Sequence, residues 1–468
     1  MLRAGSTSVD ITPPLGVPIG GNVRQDKAAR GVHDPLQANI LVVESQSGRV
    51  VLIGLDLLGV TKELVDSLRA EIDRRCGIDK SRVMVWATHT HSGPDITSKY
   101  SPLDESTSEP RDAWLQRLPG LLASGVEEAA QSTRVVHLRV GSTNVNGLSF
   151  NRRLLMQDGK VHMNWEGVDP SQVVEELGPV DPELWVAGLV DDAGEAVAVI
   201  VHFTLHPAIL VGQDWLFSRD YVHDLTVAVQ GHLDRNVPVL FANGALGNIN
   251  HIDYRKGDAQ GRGFAEAKRI GETLGHQVVS LVQSWKVSPD EDIRVASGHE
   301  VLKRRPLTPS MVQEARELLE ASSFIIPSQL DGVPPQAYAV MILKMSQYYQ
   351  DWIEVEVSAF KLGPLVWVFV PGEVFVEFGL QLRKHCSSHV VRVVSLAGDS
   401  IGYLPTQTAF EQGGYEPTFG TSTVLPGEVE RLFSNLEKLV DHLLDPSAGD
   451  SPKSDANTSQ ATNSSRTP

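Results

Sequence analysis

Two histidines one residue apart, His89 and His91, lie in the run Trp86-Ala87-Thr88-His89-Thr90-His91-Ser92-Gly93-Pro94. The apolar stretch before the run predicts a buried strand, and Gly93 and Pro94 predict where it ends. Side chains two positions apart on an extended backbone point to the same side, and α/β proteins form ligand crevices at the carboxyl ends of strands. One imidazole at this edge can therefore hold a metal while the other handles a proton. The alternative is a polar strand end that binds nothing.

Two further apolar strands end in residues of the same chemical kind. His206 follows the predicted strand 196–206 in Leu205-His206-Pro207, and Glu373 follows the strand 365–370 in Pro371-Gly372-Glu373. Two histidines and one carboxylate with an open position form the ligand set of a hydrolytic zinc site. Zinc would lower the pKa of a bound water to about 7 and polarise a carbonyl, which suits amide or ester hydrolysis. His202 is more than about 10 Å from His206 along the strand, so we interpret it as a core residue or a supporting one.

The elements around these residues predict an α/β fold class, with layered mixed β-sheets flanked by helices. A strand at 50–56, a helix at 62–76 and the histidine strand form a strand, helix, strand unit, which favours a mixed or parallel sheet. Further helices are predicted at 110–132, 224–233, 263–285, 308–321 and 428–444, and another continues from Glu373. The remaining strands are predicted at 38–44, 135–141, 184–190, 237–242 and 390–396. We expect residues 1–444 to form a single catalytic domain. Residues 445–468 have alanine as their only apolar side chain, so they are predicted to be a disordered tail.

Composition excludes several classes of protein. The 468 residues are 41% hydrophobic and 21% charged, as in a globular protein with a substantial core. The net charge of −17 argues against a nucleic-acid partner and against adhesion to anionic membranes. Cys76 and Cys386 are too few for a disulfide framework, so a reducing compartment is expected. With no signal-peptide pattern and no apolar run long enough to span a bilayer, we expect a cytoplasmic protein without stable membrane insertion.

Several segments together resemble the neutral, non-lysosomal ceramidase family over about residues 6–440. The most specific is Ala87-Thr88-His89-Thr90-His91-Ser92-Gly93-Pro94, followed in order by Leu205-His206-Pro207, Pro371-Gly372-Glu373 and Gly414-Tyr415-Glu416. Weaker similarities are Gly31–Leu36, Asn151-Arg152, Phe217–Tyr221 and the small-residue loop Asn243–Asn250. The resemblance implies a zinc-dependent amidohydrolase of sphingolipid metabolism, cleaving an N-acyl, ceramide-like linear amide by a zinc-activated water. Its expected partner is a small-molecule amide or lipid substrate.

The resemblance also implies a role for individual residues. His89, His206, Glu373 and Tyr403 would be the zinc ligands, although without the resemblance Tyr403 would be interpreted as a buried tyrosine, since tyrosine is not a usual zinc ligand. His91 would act as general acid or base, and Tyr415 would donate to the oxyanion. Arg152 would anchor a polar group of the substrate, with a surface salt bridge as the alternative. His33 would either line the pocket or have a structural role.

The sequence departs from the family at one loop. Where family members have a Gly-Asp-Val-Ser-Pro type of loop, this chain has Gly247-Asn248-Ile249-Asn250-His251, so the serine hydroxyl is missing. Metal-activated water is therefore the better account of the chemistry than a serine nucleophile. We also expect neither the carboxyl-terminal immunoglobulin-like domain nor the secretion signal of secreted members. Two alternatives stay open: a metal-dependent hydrolase of a small non-lipid amide or ester, and a non-catalytic metal-binding relative.

Overall fold

The computed structural model describes residues 1–21, 23, 28–96, 109–211, 214–259, 261–328 and 332–445. Of the predicted disordered tail 445–468, all residues but the first lie outside the described residues. In the described part of the chain the helices are α1 (Lys62–Cys76), α2 (Glu109–Gln131), α3 (Tyr221–Leu233), α4 (Phe264–Ser284), α5 (Pro309–Ala321), α6 (Pro335–Met345), α7 (Val376–His385), α8 (Gln407–Gln412) and α9 (Glu428–Leu444).

The strands, in chain order, are β1 (Arg3–Asp10), β2 (Gly31–Val32), β3 (Gln37–Ser45), β4 (Gly48–Leu55), β5 (Val83–Ala87), β6 (Arg134–Asn144), β7 (Phe150–Asn151), β8 (Arg153–Met156), β9 (Val161–Met163), β10 (Val173–Glu176), β11 (Glu183–Asp191), β12 (Ala196–Phe203), β13 (Leu216–Phe217), β14 (Val239–Asn243), β15 (Ile249–Asn250), β16 (Lys286–Val287), β17 (Ile293–Lys303), β18 (Trp352–Leu362), β19 (Leu365–Phe369), β20 (Glu373–Val374), β21 (Val390–Val394) and β22 (Tyr403–Leu404). Most of them belong to two mixed sheets.

The larger sheet has the order β14-β12-β11-β6-β1-β3-β4-β5, with β16 paired to β6. Its two outer pairs, β12 with β14 and β4 with β5, are parallel, and the pairs between them are antiparallel. The smaller sheet has the order β17-β18-β19-β21, in which only β19 and β21 run parallel. The predicted α/β class with mixed sheets flanked by helices is confirmed.

The buried side chains divide the molecule into layers. One apolar cluster lies between the two sheets and includes Leu41, Trp86 and Phe360. On the outer face of the larger sheet, α1 and α2 cover one half and α3 and α4 cover the other. On the outer face of the smaller sheet lie α7 and α9. The order of layers is therefore helices, sheet, sheet, helices, which buries both faces of each sheet.

Helix α1 shows why the predicted elements form where they do. Thr61 caps its amino terminus by accepting a hydrogen bond from the Leu64 amide, and Gly77 ends it in the left-handed conformation with φ of 62°. Leu64, Leu68 and Ile72 are buried at helical spacing against the sheet. These signals are local, and the helix predicted at 62–76 is confirmed. None of the helices in the described part of the chain is both long and apolar enough to cross a bilayer.

Candidate active site

His89 and His91 lie just beyond the end of strand β5, which is buried along its whole length. The prediction that an extended backbone aligns the two imidazoles is wrong, because His89 has a positive φ of 74°. This turn is held by the His89 amide, which donates to the Leu57 carbonyl at 2.9 Å, and by the His91 amide, which donates to the Pro207 carbonyl at 3.0 Å. The two rings still converge, with their Nε2 atoms 3.3 Å apart.

His206 lies three residues after the end of β12, in the loop that follows it. A buried amide ties this loop to the histidine turn: Asn243 Nδ2 donates to the carbonyl of Thr88 at 3.2 Å and to that of Leu205 at 3.1 Å. Each accepting residue directly precedes a histidine. Asn243 therefore fixes the relative position of His89 and His206. Sequence reasoning placed Asn243 only in a small-residue loop, and a single asparagine at the end of a strand gives no stronger signal.

Glu373 and Tyr403 are brought together by strands β20 and β22. These strands pair in parallel with Glu373 directly opposite Tyr403. The small-residue loop behind β14 supports this pair, because the Gly247 amide donates to the Val374 carbonyl at 2.7 Å. A Cβ atom at Gly247 would lie 2.4 Å from the Glu373 carbonyl oxygen, so only glycine permits this approach.

The polar tips of these side chains form one compact, buried group. His89 Nε2 lies 2.9 Å from His206 Nε2, and Glu373 Oε2 lies 3.4 Å from the first and 3.5 Å from the second. The Tyr403 hydroxyl interacts with the same carboxylate. His91 completes the group, and the ring nitrogens of the three histidines lie close enough together to hold a metal ion.

The hydrogen bonds of the rings show that the residues fit a metal. His89 Nδ1 faces the Leu58 carbonyl at 2.5 Å and His206 Nδ1 faces the Leu246 carbonyl at 3.2 Å, so each Nδ1 carries the proton. Both Nε2 atoms then present lone pairs to each other, and Glu373 Oε2 is buried without a hydrogen-bond partner. Lone pairs on nitrogen and oxygen at these separations are stabilised by a shared cation. Backbone carbonyls that orient the outer nitrogen are the usual support of metal-binding histidines.

The protonation states of the buried group favour the binding of a cation. Burial, followed by the proximity of His89, lowers the pKa of His206 well below its usual value, so the imidazole stays neutral. Burial raises the pKa of Glu373, but His89 and the hydrogen bonds to the carboxylate outweigh it and hold the pKa at about 2. Burial also lowers the pKa of His91 to about 3. At neutral pH the site therefore combines the neutral imidazoles of His91 and His206 with an ionised Glu373 carboxylate.

Arg152 and Tyr415 both contact the Tyr403 ring. The Arg152 guanidinium carbon is 5.2 Å from the ring centroid of Tyr403, 5.7 Å from that of Tyr415 and 5.0 Å from that of Trp165. Its Nε donates to Glu416 Oε1 at 2.8 Å, and the side chain is buried. The surface salt bridge considered for Arg152 is thus a buried one. Trp165, which the sequence did not single out, completes this aromatic surround.

In the loop Gly247–His251, which departs from the family pattern, both asparagine side chains form hydrogen bonds. Asn248 Oδ1 accepts from the Val376 amide at 2.9 Å, which holds the first turn of α7. Asn250 and Asn164 exchange side-chain hydrogen bonds of 2.7 and 2.8 Å. These asparagines therefore have structural roles in place of a serine hydroxyl. His33 stacks on Phe264 at 3.9 Å, away from the cavity described below, so its structural role is favoured.

A cavity of about 80 Å³ opens beside the histidines. Its described lining contains His91, His206, Arg152, Tyr403 and Tyr415. The remaining described residues of the lining are Gly21, Val23, Trp165, Ala208, Val211, Asn250, His251, Ile252, Arg262, Gly332 and Val333. The structure thus gathers the predicted site residues at one cavity, either in its lining or, for His89 and Glu373, directly behind it.

The amino-terminal part of the chain is similar to known proteins. Residues 2–227 match the family model of the neutral/alkaline non-lysosomal ceramidases, amino-terminal domain. The resemblance predicted from the sequence is confirmed. The ceramidase match contains the segments of His89, Arg152 and His206 and ends before Glu373. The neutral ceramidase of Pseudomonas aeruginosa is 26% identical over 223 residues, which are 47% of this chain and 32% of the relative.

The likeness in fold extends further along the chain. A crystal structure of the Pseudomonas aeruginosa neutral ceramidase matches with a TM-score of 0.70 and 19% identity, covering 94% of this chain and 74% of the other. A ceramidase complexed with C2 matches with a TM-score of 0.70 and 19% identity, covering 95% and 75%. The fold of these ceramidase structures is therefore present across nearly all of the chain.

Proposed function

We propose that this chain is a zinc-dependent amidohydrolase that cleaves a linear N-acyl amide of the ceramide class. The observation that carries the proposal is the orphaned Glu373 Oε2 atom, which lies 3.4 Å from His89 Nε2 and 3.5 Å from His206 Nε2. A buried carboxylate oxygen normally accepts a hydrogen bond, unless a cation occupies the position of the donor. The catalytic domain of the proposal is residues 1–444.

His89, His206, Glu373 and Tyr403 would hold the zinc. Two imidazoles and a carboxylate with an open position are typical of hydrolytic zinc centres. A zinc ion held there would supply Lewis acidity toward water and toward the amide carbonyl. Tyr403 is the unusual member of this set, and its position opposite Glu373 in the β20–β22 pair supports it.

The other three residues would handle protons and charge. His91 is neutral at pH 7, because burial lowers its pKa to about 3, so its Nε2 can accept a proton from the attacking water and pass it to the leaving nitrogen. Burial raises the pKa of Tyr415 to about 12, so its hydroxyl keeps a proton and donates to the developing oxyanion. Arg152 would orient the polar part of the substrate.

The lining of the cavity supports an acyl substrate. Val23, Val211, Ile252 and Val333 contribute apolar side chains to the lining, which suit an alkyl chain. This surface favours a lipid-like amide over a small non-lipid amide or ester. A non-catalytic relative is disfavoured because a purely structural metal site would not need an open cavity beside the metal.

Metal analysis paired with activity tests the proposal. The wild-type protein should contain about one zinc per chain and release fatty acid from N-acyl amides, with rates that rise with acyl length. His206→Ala should lose both the metal and the activity, whereas His137→Ala, which changes an exposed histidine, should keep both. A wild-type protein that cannot be loaded with zinc would overturn the mechanism. Activity confined to short acyl chains would replace the ceramide-like substrate by a small amide.

A further inference from the structure

Helices α7 and α9 bring together a second group of side chains that can bind a metal. His385 is the last residue of α7, Cys386 directly follows it, and Asp441 lies in the last turn of α9. In each of these three residues one potential ligand atom lies within 4.8 Å of those of the other two. The group shares no residue with the active site, so any metal that it holds is an additional one.

Helical spacing sets two rows of polar side chains opposite each other. Gln381 and His385 are four residues apart in α7, and Glu437 and Asp441 are four residues apart in α9, so each pair lies on one face of its helix. Gln381 Nε2 donates to Glu437 Oε1 at 2.9 Å. One turn further along, His385 Nε2 lies 3.1 Å from both carboxylate oxygens of Asp441. The two helices therefore hold the imidazole and the carboxylate face to face.

The distances suit a tetrahedral ion. Zinc–nitrogen and zinc–oxygen bonds of about 2.0–2.1 Å place neighbouring ligand atoms about 3.3 Å apart in tetrahedral geometry. The 3.1 Å between His385 Nε2 and the Asp441 oxygens is close to that value. The side chains of His385 and Asp441 are 35% and 58% exposed. They therefore have room to approach the sulfur of Cys386, which the same geometry would place about 3.6 Å from each of them.

Cys386 adds a sulfur ligand to the nitrogen and oxygen of the other two residues. It is 5% exposed and belongs to the apolar cluster beneath α7 and α9. A donor set of sulfur, nitrogen and oxygen is typical of zinc, whereas magnesium and calcium prefer oxygen alone. Glu437 Oε2 lies 3.9 Å from His385 Nδ1, the ring nitrogen that faces away from Asp441. A carboxylate on that side of the ring orients a metal-binding imidazole.

We propose that His385, Cys386 and Asp441 form a second zinc site, with water as the fourth ligand, which fastens α9 to α7. The Cys386 thiol gives up its proton to solvent as the zinc–sulfur bond forms. Because this proton must be lost and two of the ligands are exposed, zinc binds here more weakly than at the buried histidines. The site therefore fills when zinc is added to a protein that already holds its first metal. Binding here requires no hydrolytic activity at the active site.

Titration with cobalt(II) tests the site, because a thiolate ligand gives a sulfur-to-cobalt charge-transfer absorption in the near ultraviolet. The chain has two cysteines, and the active-site group contains neither of them. Full-length protein that holds one zinc should develop this band as cobalt is added, with saturation at about one further equivalent. Cys386→Ser should abolish the band. Cys76→Ser, which changes the other cysteine, should keep it.

Variants of the two exposed ligands avoid any change to the buried cluster. His385→Gln and Asp441→Asn should each raise the cobalt Kd at least about tenfold, whereas His299→Gln, which changes an exposed histidine in β17, should leave it unchanged. Added zinc should raise the Tm of the one-zinc wild-type protein but not that of Asp441→Asn.

Two results would overturn the second zinc site. A wild-type protein without the charge-transfer band, or a band that survives Cys386→Ser, would leave His385 and Asp441 as an ion pair only. Unchanged cobalt affinity in both His385→Gln and Asp441→Asn would remove these two residues from the ligand set. Loss of amide hydrolysis with an intact band would instead count against the proposed function alone.

Discussion

Glu373 and Tyr403 are paired residues of a two-stranded parallel sheet, and the Glu373 amide donates to the Gly402 carbonyl at 2.9 Å. This pairing sets the two side chains next to each other by backbone hydrogen bonds alone. The carboxylate and the phenol therefore reach the histidines as a unit. The Tyr403 ring also contacts Arg152 and Tyr415, so a phenylalanine at position 403 would keep these ring contacts while removing the hydroxyl.

Tyr403→Phe and Tyr415→Phe should separate metal binding from catalysis. Both changes keep an aromatic ring and remove one hydroxyl. Tyr403→Phe should weaken zinc binding by at least about tenfold, since it removes a ligand atom. Tyr415→Phe should leave zinc affinity unchanged and lower kcat by about 100- to 1,000-fold, as expected for the loss of an oxyanion donor. Competition with a chelator and steady-state kinetics measure the two effects. An unchanged zinc affinity in Tyr403→Phe would remove Tyr403 from the ligand set.

Gly21→Ala should displace the His91 side chain by direct steric contact rather than by strain in the backbone. Gly21 has φ of 87°, and a Cβ atom there would lie 2.7 Å from His91 Cγ. Displacing the imidazole by a few tenths of an ångström or more should lower kcat by about 100-fold while zinc stays bound. Gly16→Ala is the matched control, because Gly16 has φ of 90° and open space around it. If the two variants lose the same activity, backbone strain rather than His91 placement is responsible.

The strand ends of the site were predictable because their signals are local. An apolar run that stops at glycine or proline places His89, His206 and Glu373 near the carboxyl edges of strands, and the structure confirms the strands. The exact turns were not predictable, since the left-handed His89 is held by the Leu57 carbonyl from the loop after β4. Such contacts join residues far apart in the chain, and no spacing in the sequence encodes them.

The elements that sequence reasoning missed have mixed patterns. Strand β17 alternates half-buried and exposed residues, and only Ile293 and Leu302 in it are buried. It therefore lacks the apolar run that revealed β19. Helix α6 begins at Pro335, directly after Pro334. Two successive prolines are typical of a loop, although proline is also common at the first position of a helix. Arg262 likewise gave no signal, because only the fold brings it to the cavity.

Asn243→Ala should loosen the site and destabilise the fold. The change leaves the Thr88 and Leu205 carbonyls without the donor that joins them. The Leu205 carbonyl keeps the Tyr221 hydroxyl as a donor at 2.7 Å, so the Thr88 carbonyl is the acceptor left unpaired, and we expect the free energy of unfolding to fall by about 1–3 kcal/mol. Zinc affinity should fall as well, because the two histidine loops are no longer tied together. Denaturant unfolding of the metal-free protein and zinc titration measure these effects.

The control for Asn243→Ala is the same substitution at an asparagine outside the site. Asn435 donates only to the Glu300 side chain and is partly exposed, so Asn435→Ala should change stability by less than about 1 kcal/mol and leave zinc affinity unchanged. If Asn243→Ala lowers stability without lowering zinc affinity, the bridge supports the sheet rather than the arrangement of the histidines.

The stability of the protein should fall in mild acid because of His202. Burial and then the Arg392 charge lower its pKa to about 4, while Nε2 donates to the Val393 carbonyl at 2.9 Å. The unfolded chain, with the usual histidine pKa near 6.5, binds the proton more tightly than the folded one. The stability that the neutral His202 contributes is therefore fully present above about pH 6.5. It is lost as the pH falls through 4, by up to about 1.4 kcal/mol per pH unit.

His202→Gln tests this pH dependence, because the glutamine amide can still donate to the Val393 carbonyl but does not titrate. The free energy of unfolding, measured in denaturant from pH 4 to 8, should fall less steeply for this variant below pH 6.5. His232→Gln, which changes an exposed imidazole in α3, should follow the wild-type curve. Parallel curves for wild type and His202→Gln would assign the acid sensitivity to other groups, of which the buried His251, with its pKa of about 4, is the next to substitute.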